Sequence, residues 1–264
     1  MKVIVLVVVC GCTTLGPMPA TTGLPAVPAA RPGVELQAGL VPGFMLSSAT
    51  TPNPEAGPIP QLSGLLEPDR WFGIPGLVLG ARTFGRDGDD YVEPFVGYRR
   101  AASRALAWSA IGYGSSGRAT DQLASYHAVR AGGELTIDER LFVPDDPRDD
   151  TGWLQAHVAA SLAATAIAAS GRYCVDPDGN GTDCQSGPGA SNVVVDGSVR
   201  GVYPAATATF ALDLHHMPAG VTDARLGLLG TVGYLPRVID GVQRPGSAWG
   251  TLGVTLQLGF GEPR

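Results

Sequence analysis

The last segment of the chain alternates strictly between apolar and small or polar residues, and this period constrains the fold more than any other feature of the sequence. Successive side chains of a strand point to opposite sides. One face of this strand would carry Leu252, Val254, Leu256, Leu258 and Phe260, and the other Thr251, Gly253, Thr255, Gln257 and Gly259. A strand with two such unlike faces separates an apolar surface from a polar one.

The same alternation recurs along most of the chain and predicts an all-β protein. The Ala-rich stretch 156–169 has helical propensity, but the alternation of Ala with Gln, His, Ser and Thr favours a strand. Turn-forming residues separate the segments. Nine strands are predicted, over residues 34–47, 72–84, 91–99, 104–116, 122–138, 153–172, 194–213, 224–236 and 247–260.

Two architectures fit this pattern, a soluble β-sandwich and a transmembrane β-barrel. Large β-branched and aromatic residues should dominate the apolar face of a sandwich, because that face is its core. Here the polar faces are rich in Gly, Ala, Ser and Thr, as a narrow, filled lumen requires, and several segments are long enough to cross a bilayer. Aromatic residues lie toward strand ends, where they would form interfacial girdles: Trp71, Tyr91, Tyr98, Trp153, Tyr173, Tyr234, Trp249 and Phe260. The transmembrane β-barrel is the favoured interpretation.

Residues 33–264 therefore resemble the small bacterial outer-membrane β-barrel proteins. The resemblance rests on the segment Val92–Tyr98, on repeated Gly-aromatic strands and on the terminal strand ending at Phe260. Termini on one side of the membrane need an even number of strands. Either the segment 34–47 lies outside an eight-stranded barrel, the preferred reading, or a further strand near Leu62–Leu66 makes ten. The resemblance implies an antiparallel transmembrane barrel in the bacterial outer membrane, in contact with its lipid.

The N-terminus has the pattern of an export signal. Lys2 precedes an apolar run from Val3 to Val9, which is too short to span a bilayer. The sequence Val9-Cys10-Gly11-Cys12 resembles a bacterial lipobox, which implies that Cys12 is lipidated; cleavage after Ala20 or Ala30 is the alternative. Residues 1–12 are thus interpreted as the export signal and residues 13–32, rich in Pro, Thr and Ala, as an extended tether.

One loop carries paired cysteines and a spacing typical of cation ligands. Cys174 and Cys184 are expected to form a disulfide in an exported protein. Between them, the 1-3-5 spacing of carboxylate and amide side chains is that of a weak calcium loop, with candidate ligands Asp176, Asp178, Asn180 and Asp183. A solvated turn explains the same residues, since Asp, Asn and Gly also favour turns. No other cofactor is expected.

Six charged residues are predicted to face the lumen. They are Glu35, Arg82, Glu93, Arg130, Glu134 and Arg225. In a narrow barrel buried charges need opposite partners, so an internal ion-pair network is expected; ten strands would leave room for a narrow channel. Ser125 and His127 share a face, as an acyl hydrolase acting on envelope lipid would need, but Glu134 and Asp138 have the opposite parity.

The function expected from the sequence is that of a structural or surface-contact protein of the envelope, with an unknown surface ligand. A lipid-anchored soluble β-sandwich that binds a partner is the alternative, and a small-solute channel or a lipid acyl hydrolase is less favoured. The net charge of -6 gives no electrostatic reason to expect a nucleic-acid partner.

Overall fold

A computed structural model describes residues 34–44, 58–68, 72–86, 89–120, 125–141, 154–175, 193–214, 221–239 and 242–260. Within these ranges each strand pairs antiparallel with its neighbours in chain order, and the first pairs with the last to close a barrel. The strands are β1 (Val34–Phe44), β2 (Pro58–Leu66), β3 (Leu77–Arg86), β4 (Asp89–Ala101), β5 (Leu106–Thr120), β6 (Ser125–Leu141), β7 (Leu154–Val175), β8 (Val193–Leu214), β9 (Val221–Ile239) and β10 (Val242–Phe260).

The antiparallel barrel predicted from the alternation is confirmed, and the two-sheet sandwich is wrong because the described strands form one closed sheet. The preferred count of eight strands is wrong: the structure has ten, the other count that parity allowed, because the segment that includes Leu62–Leu66 is a strand of the wall. The first predicted segment lies in the wall, between β10 and β2, and not outside it. The Ala-rich stretch 156–169 is a strand, within β7. The described part of the chain contains no helix that is long and apolar enough to cross a bilayer.

The two ends of the barrel differ in height around its circumference. We call the end where Val34 lies opposite Phe260 the near end, and the opposite end the far end. Strands β1 to β4 have 9 to 13 residues. Strands β7 and β8 have 22 residues each and stay paired with each other along their whole length. The wall therefore rises much higher at the far end on the β7–β8 side than on the β1–β4 side.

The β8–β9 seam is closed only over its near half. The two strands pair from Asp213↔Arg225 to Ala205↔Gly233. Beyond that point, Val193–Pro204 of β8 pair with β7 alone among the described residues, and β9 continues paired with β10 through a register irregularity between Arg244 and Ser247. Pro204, which has no N–H to donate, stands where the pairing stops. Among the described residues, the ladder that joins the hairpins β7–β8 and β9–β10 thus ends before the far end.

Most large side chains exposed on the outside of the described wall are apolar. Large apolar residues that are 40% or more exposed recur at every second position of the strands: Leu62, Val92, Val96, Leu106, Val129, Leu135, Ile137, Val158, Leu162, Val202, Phe210, Leu226, Leu228, Val232, Tyr234, Leu252, Val254 and Leu256. A water-soluble protein rarely exposes a contiguous apolar surface of this extent. The exterior is therefore suited to an apolar solvent, and the core of the protein is the space that the wall encloses.

Candidate functional site

The interior of the barrel collects the charged side chains of the strands, and it is the candidate functional site. Alternation places every second residue of each strand inside, so one charged residue per strand is enough to build a cluster from distant parts of the chain. Of the charges predicted to face the lumen, the structure buries Arg82, Glu93, Arg130, Glu134 and Arg225 inside. The side chain of Glu35 lies outside the described residues.

Four of these residues, Arg82, Glu93, Arg130 and Glu134, form what we call the central network. Arg82 Nε donates to Glu93 Oε1 at 2.6 Å, and its Nη1 donates to Glu134 Oε2 at 3.0 Å. Arg130 Nη2 lies 3.0 Å from the second carboxylate oxygen of Glu93. Each of the four residues is at most 4% exposed. Two cations and two anions balance, so the network can be buried without a net charge.

Aromatic and hydroxyl side chains surround the central network. The guanidinium of Arg82 stacks 4.5 Å above the ring of Tyr113, and the Tyr113 hydroxyl is 2.7 Å from the hydroxyl of Thr165. Ser115 Oγ donates to Glu93 at 3.4 Å, and Thr136 Oγ1 donates to Glu134 at 3.4 Å. These contacts add hydrogen bonds and a cation–π interaction to the ion pairs.

A second group, Asp138, His157, Asp213 and Arg225, forms what we call the near-end cluster. His157 Nδ1 lies 3.0 Å from Asp138 Oδ1, and His157 Nε2 lies 2.8 Å from Asp213 Oδ2. Arg225 Nε donates to Asp213 at 2.7 Å, and its Nη1 donates to Asp138 at 3.3 Å. Ionised carboxylates only accept hydrogen bonds, so each ring nitrogen of His157 must donate to its carboxylate. Both nitrogens can donate when the ring carries two protons and is positively charged. The cluster is then neutral.

A row of hydroxyl residues follows the wall beside these clusters. Ser109, Thr136, Ser161, Thr207 and Thr231 are direct cross-strand partners from β5 to β9, and each is at most 3% exposed. Thr136 and Ser161 are 2.8 Å apart, and Thr207 and Thr231 are 2.9 Å apart. Hydroxyl groups can donate and accept, so the two members of each of these pairs can hydrogen-bond to each other.

An apolar group lies next to the central network inside the barrel. Leu65, Val78, Phe95, Ile111 and Tyr113 pack together inside strands β2 to β5. A β-carbon on Gly80 would overlap the ring of Phe95, so the glycine makes room for the aromatic side chain. Interior residues of β2 to β9 are buried against each other, so this described part of the interior is packed.

Several buried charged residues of the interior were not among the predicted lumen charges. Asp138 and Arg99 have the same parity as Glu134 and Glu93, so the alternation contained the signal. Arg99 forms a buried ion pair with Glu67, which follows β2, a strand absent from the nine predicted. His157 lies on the inner face of β7, but its two carboxylate partners come from strands distant in sequence, and only the register brings them together.

Other predicted sites lie wholly or partly outside the described residues. These are Cys12 with the export signal, Cys184, and the loop residues Asp176, Asp178, Asn180 and Asp183. Cys174 is in β7 opposite Val194, and nothing is described of its side chain. In the described part of the chain, no group of three or more His, Cys, Asp or Glu side chains has the arrangement to hold a metal ion. His127 is exposed on the outside of β6, whereas Glu134 and Asp138 point inside.

No protein-family model and no curated protein sequence matches this chain. Among solved structures, Neisserial surface protein A is similar with a TM-score of 0.34 and 11% identity, over 86% of this chain and 97% of that one. The translocator domain of the autotransporter NalP from Neisseria meningitidis has a TM-score of 0.35 and 12% identity, over 88% and 89%. The Pseudomonas putida toluene transporter TodX has a TM-score of 0.32 and 10% identity, over 88% and 90%. At such values no ligand or activity is carried over to this chain.

Proposed function

We propose that the chain is a non-enzymatic barrel of the bacterial outer membrane, with a structural or surface-contact role. The observation that carries the proposal is the contrast between its two surfaces. The outside is apolar, and the inside is a packed, charge-balanced interior. A protein with these two surfaces is stable in lipid, because every strand is paired within the wall and the charges are kept away from the hydrocarbon.

Aromatic side chains support the placement in a membrane. Tyr98 and Trp108, on the outer face of neighbouring strands at the near end, are in ring contact with centroids 5.7 Å apart. Phe72 is 61% exposed in the connection between β2 and β3 at the same end. Aromatic rings concentrate where hydrocarbon meets headgroups. The near end would therefore lie at one membrane surface, with the tall β7–β8 side projecting beyond the other.

A small-solute channel is the principal competing function, and conductance distinguishes the two. The wild-type protein in a planar lipid bilayer is expected to give no discrete conductance steps, because the central network, the apolar group and the hydroxyl row fill the interior. A variant with Arg82→Ser and Glu134→Ser removes an ion pair from the middle of the lumen while keeping its charge balance. It should conduct if the filling closes the lumen.

The matched control exchanges two residues of the outer face, Val129→Ser and Leu135→Ser, and should stay silent. Steady, ohmic steps from the wild-type protein would overturn the closed-barrel role and favour a channel. An equally silent double variant that is folded would show that the central network is not what closes the lumen.

A further inference from the structure

The outer face of β4 changes in character toward the near end. Its outward residues run from the exposed Val92 and Val96 through the aromatic Tyr98 to the exposed Arg100. Outward residues two positions apart are separated by about 6–7 Å along a strand, which is roughly the thickness of one headgroup layer of a bilayer. In the membrane placement proposed above, Tyr98 lies at the edge of the hydrocarbon and Arg100 at the level of the headgroups.

An aromatic pair and a fixed loop lie beside Arg100. Trp108 on β5 is its direct cross-strand partner, and the Trp108 ring contacts the ring of Tyr98. In the connection between β2 and β3, a β-carbon on Gly76 would lie 3.2 Å from the Tyr98 ring and would overlap the carbonyl oxygen of Arg99. The backbone N–H of Arg99 donates to the carbonyl of Gly76 at 2.8 Å. The loop is therefore held against β4 and against the aromatic pair.

The same loop presents two apolar side chains to its surroundings. Phe72 is 61% exposed and Ile74 is 49% exposed. The backbone around them is defined by hydrogen bonds, because the N–H of Phe72 donates to the carbonyl of Pro68 at 3.0 Å and that of Leu77 to Ile74 at 3.3 Å. Exposed aromatic and aliphatic side chains at the edge of the hydrocarbon are suited to the glycerol and first acyl carbons of a lipid. We call this surface the rim site: Phe72, Ile74, Tyr98, Arg100 and Trp108.

The charges around the rim site favour an anion. Arg104, in the turn between β4 and β5, is exposed at the same end, and Glu139 is exposed on β6, with β5 between it and Arg100. These three exposed residues together carry a charge of about +1 near neutral pH. A guanidinium matches the oxygens of a phosphate with two parallel donors, and its stem can lie along apolar surface.

We propose that the rim site binds an anionic phospholipid, with the lipid phosphate on Arg100 and the glycerol and first acyl carbons on the aromatic pair and the loop. The proposal rests on the membrane role proposed above and names a lipid partner for it. A zwitterionic lipid has a cation in the same headgroup, which opposes the attraction of the phosphate to Arg100. The site therefore distinguishes lipids by net charge, and the apolar part distinguishes a lipid from a free anion in water.

The test uses Trp108 as a local probe of the lipid beside Arg100. Replacing the other three tryptophans, by Trp71→Phe, Trp153→Phe and Trp249→Phe, makes its fluorescence the only tryptophan signal. The full-length protein is folded into phosphatidylcholine vesicles that contain increasing shares of phosphatidylglycerol brominated on its acyl chains, since bromine quenches tryptophan on contact. Brominated phosphatidylcholine is titrated in parallel. We expect Trp108 to prefer the anionic lipid about three- to fivefold, as one arginine near a bilayer surface provides.

Arg100→Gln, in the same background, should bring this preference close to one. Arg200→Gln is the matched control, because it removes the same charge from an exposed position at the far end of β8, and it should leave the preference unchanged. Folding of each variant is checked by its unheated gel shift. If Arg100→Gln does not fold, Arg100→Lys keeps the charge without the parallel donors and should lower the preference without abolishing it.

The outcomes separate this site from the membrane role on which it rests. Equal quenching of Trp108 by both brominated lipids would overturn the rim site and leave the membrane barrel standing, as would equal effects of the changes at Arg100 and Arg200. A folded protein whose Trp108 is quenched by neither lipid would contradict the membrane placement itself, and the rim site with it.

Discussion

At the scale of single residues, the interior of this barrel depends on charges that neutralise each other. Glu93 has one carboxylate oxygen against Arg82 and the other against Arg130, and it is fully buried. Burying an ion pair costs desolvation that its attraction roughly offsets, so the pairs need not stabilise the barrel on balance. Removing one partner is different, because the remaining charge stays buried without compensation.

Glu93→Gln is therefore expected to destabilise the folded protein by about 3–5 kcal/mol, as it leaves two buried guanidinium groups with one carboxylate. Urea unfolding in lipid vesicles, followed by tryptophan fluorescence, measures the change. Glu139→Gln is the matched control: it makes the same change at an exposed position of β6 and should cost less than about 0.5 kcal/mol. Equal effects of the two substitutions would contradict the central network.

His157 makes a separate test of the near-end cluster. His157→Gln removes the positive charge that balances Asp138, Asp213 and Arg225, so we expect a loss of about 3 kcal/mol in unfolding free energy. His127→Gln, on the exposed face of β6, should have almost no effect. Nitrogen NMR of the labelled wild-type protein should show both ring nitrogens of His157 protonated. A ring with one unprotonated nitrogen would contradict the charge balance derived from the geometry.

At the scale of strands, glycine on the inner face makes space for aromatic rings. Gly132 faces the interior of β6, where a β-carbon would overlap the ring of Tyr113 and the carbonyl oxygen of Ala164. Its neighbour Gly133 faces outside, where a β-carbon would meet nothing closer than 3.5 Å. Two adjacent glycines of one strand therefore serve different purposes, and only the inner one is required by packing.

Gly132→Ala is expected to cost about 1–3 kcal/mol, because Tyr113 must move and its ring supports Arg82. Gly133→Ala should be neutral or stabilising by about 0.5–1 kcal/mol, since alanine loses less conformational freedom than glycine on folding. The comparison of urea midpoints in vesicles measures both. A larger loss from Gly133→Ala than from Gly132→Ala would mean that the inner and outer faces of β6 are assigned the wrong way round.

The strands also show how far sequence could predict this fold. The alternation is strong in β7, β9 and β10, and the prediction located all three. It missed β2, where Pro58, Pro60 and Gly64 interrupt the apolar pattern and the strand has only 9 residues. Such a segment is held in an extended conformation by its neighbours β1 and β3, which pair with it on both sides. Local sequence carries no trace of that pairing, so the count could not be settled between eight and ten.

The interior was predictable in kind but not in detail. The parity of each strand predicts which residues face the lumen, and the need for charge neutrality predicts that they pair. The partners depend on the register between strands, which no local pattern gives. Arg225 contacts Asp138, from β6, only because β7 and β8 between them keep an unbroken register.

At the scale of the whole molecule, the barrel combines a largely apolar outside with a filled inside. A barrel of ten strands has a wider interior than one of eight, and here Arg, Glu, Tyr and Phe side chains occupy it where smaller residues would leave space. The apolar group, the hydroxyl row and the two charged clusters lie side by side within one closed wall. The expected consequence is a barrel that does not conduct, as the bilayer experiment tests.

The most direct test of the central claim is the mobility of the full-length protein in a denaturing gel after folding into lipid vesicles, without heating and after boiling. The unheated protein is expected to migrate faster, because a closed barrel paired through β1 and β10 resists the detergent. Boiling is expected to abolish this difference. The protein is also expected to stay with the vesicles in alkaline wash. Identical mobility in both lanes, together with a protein that remains dissolved and folded without lipid or detergent, would contradict a membrane barrel.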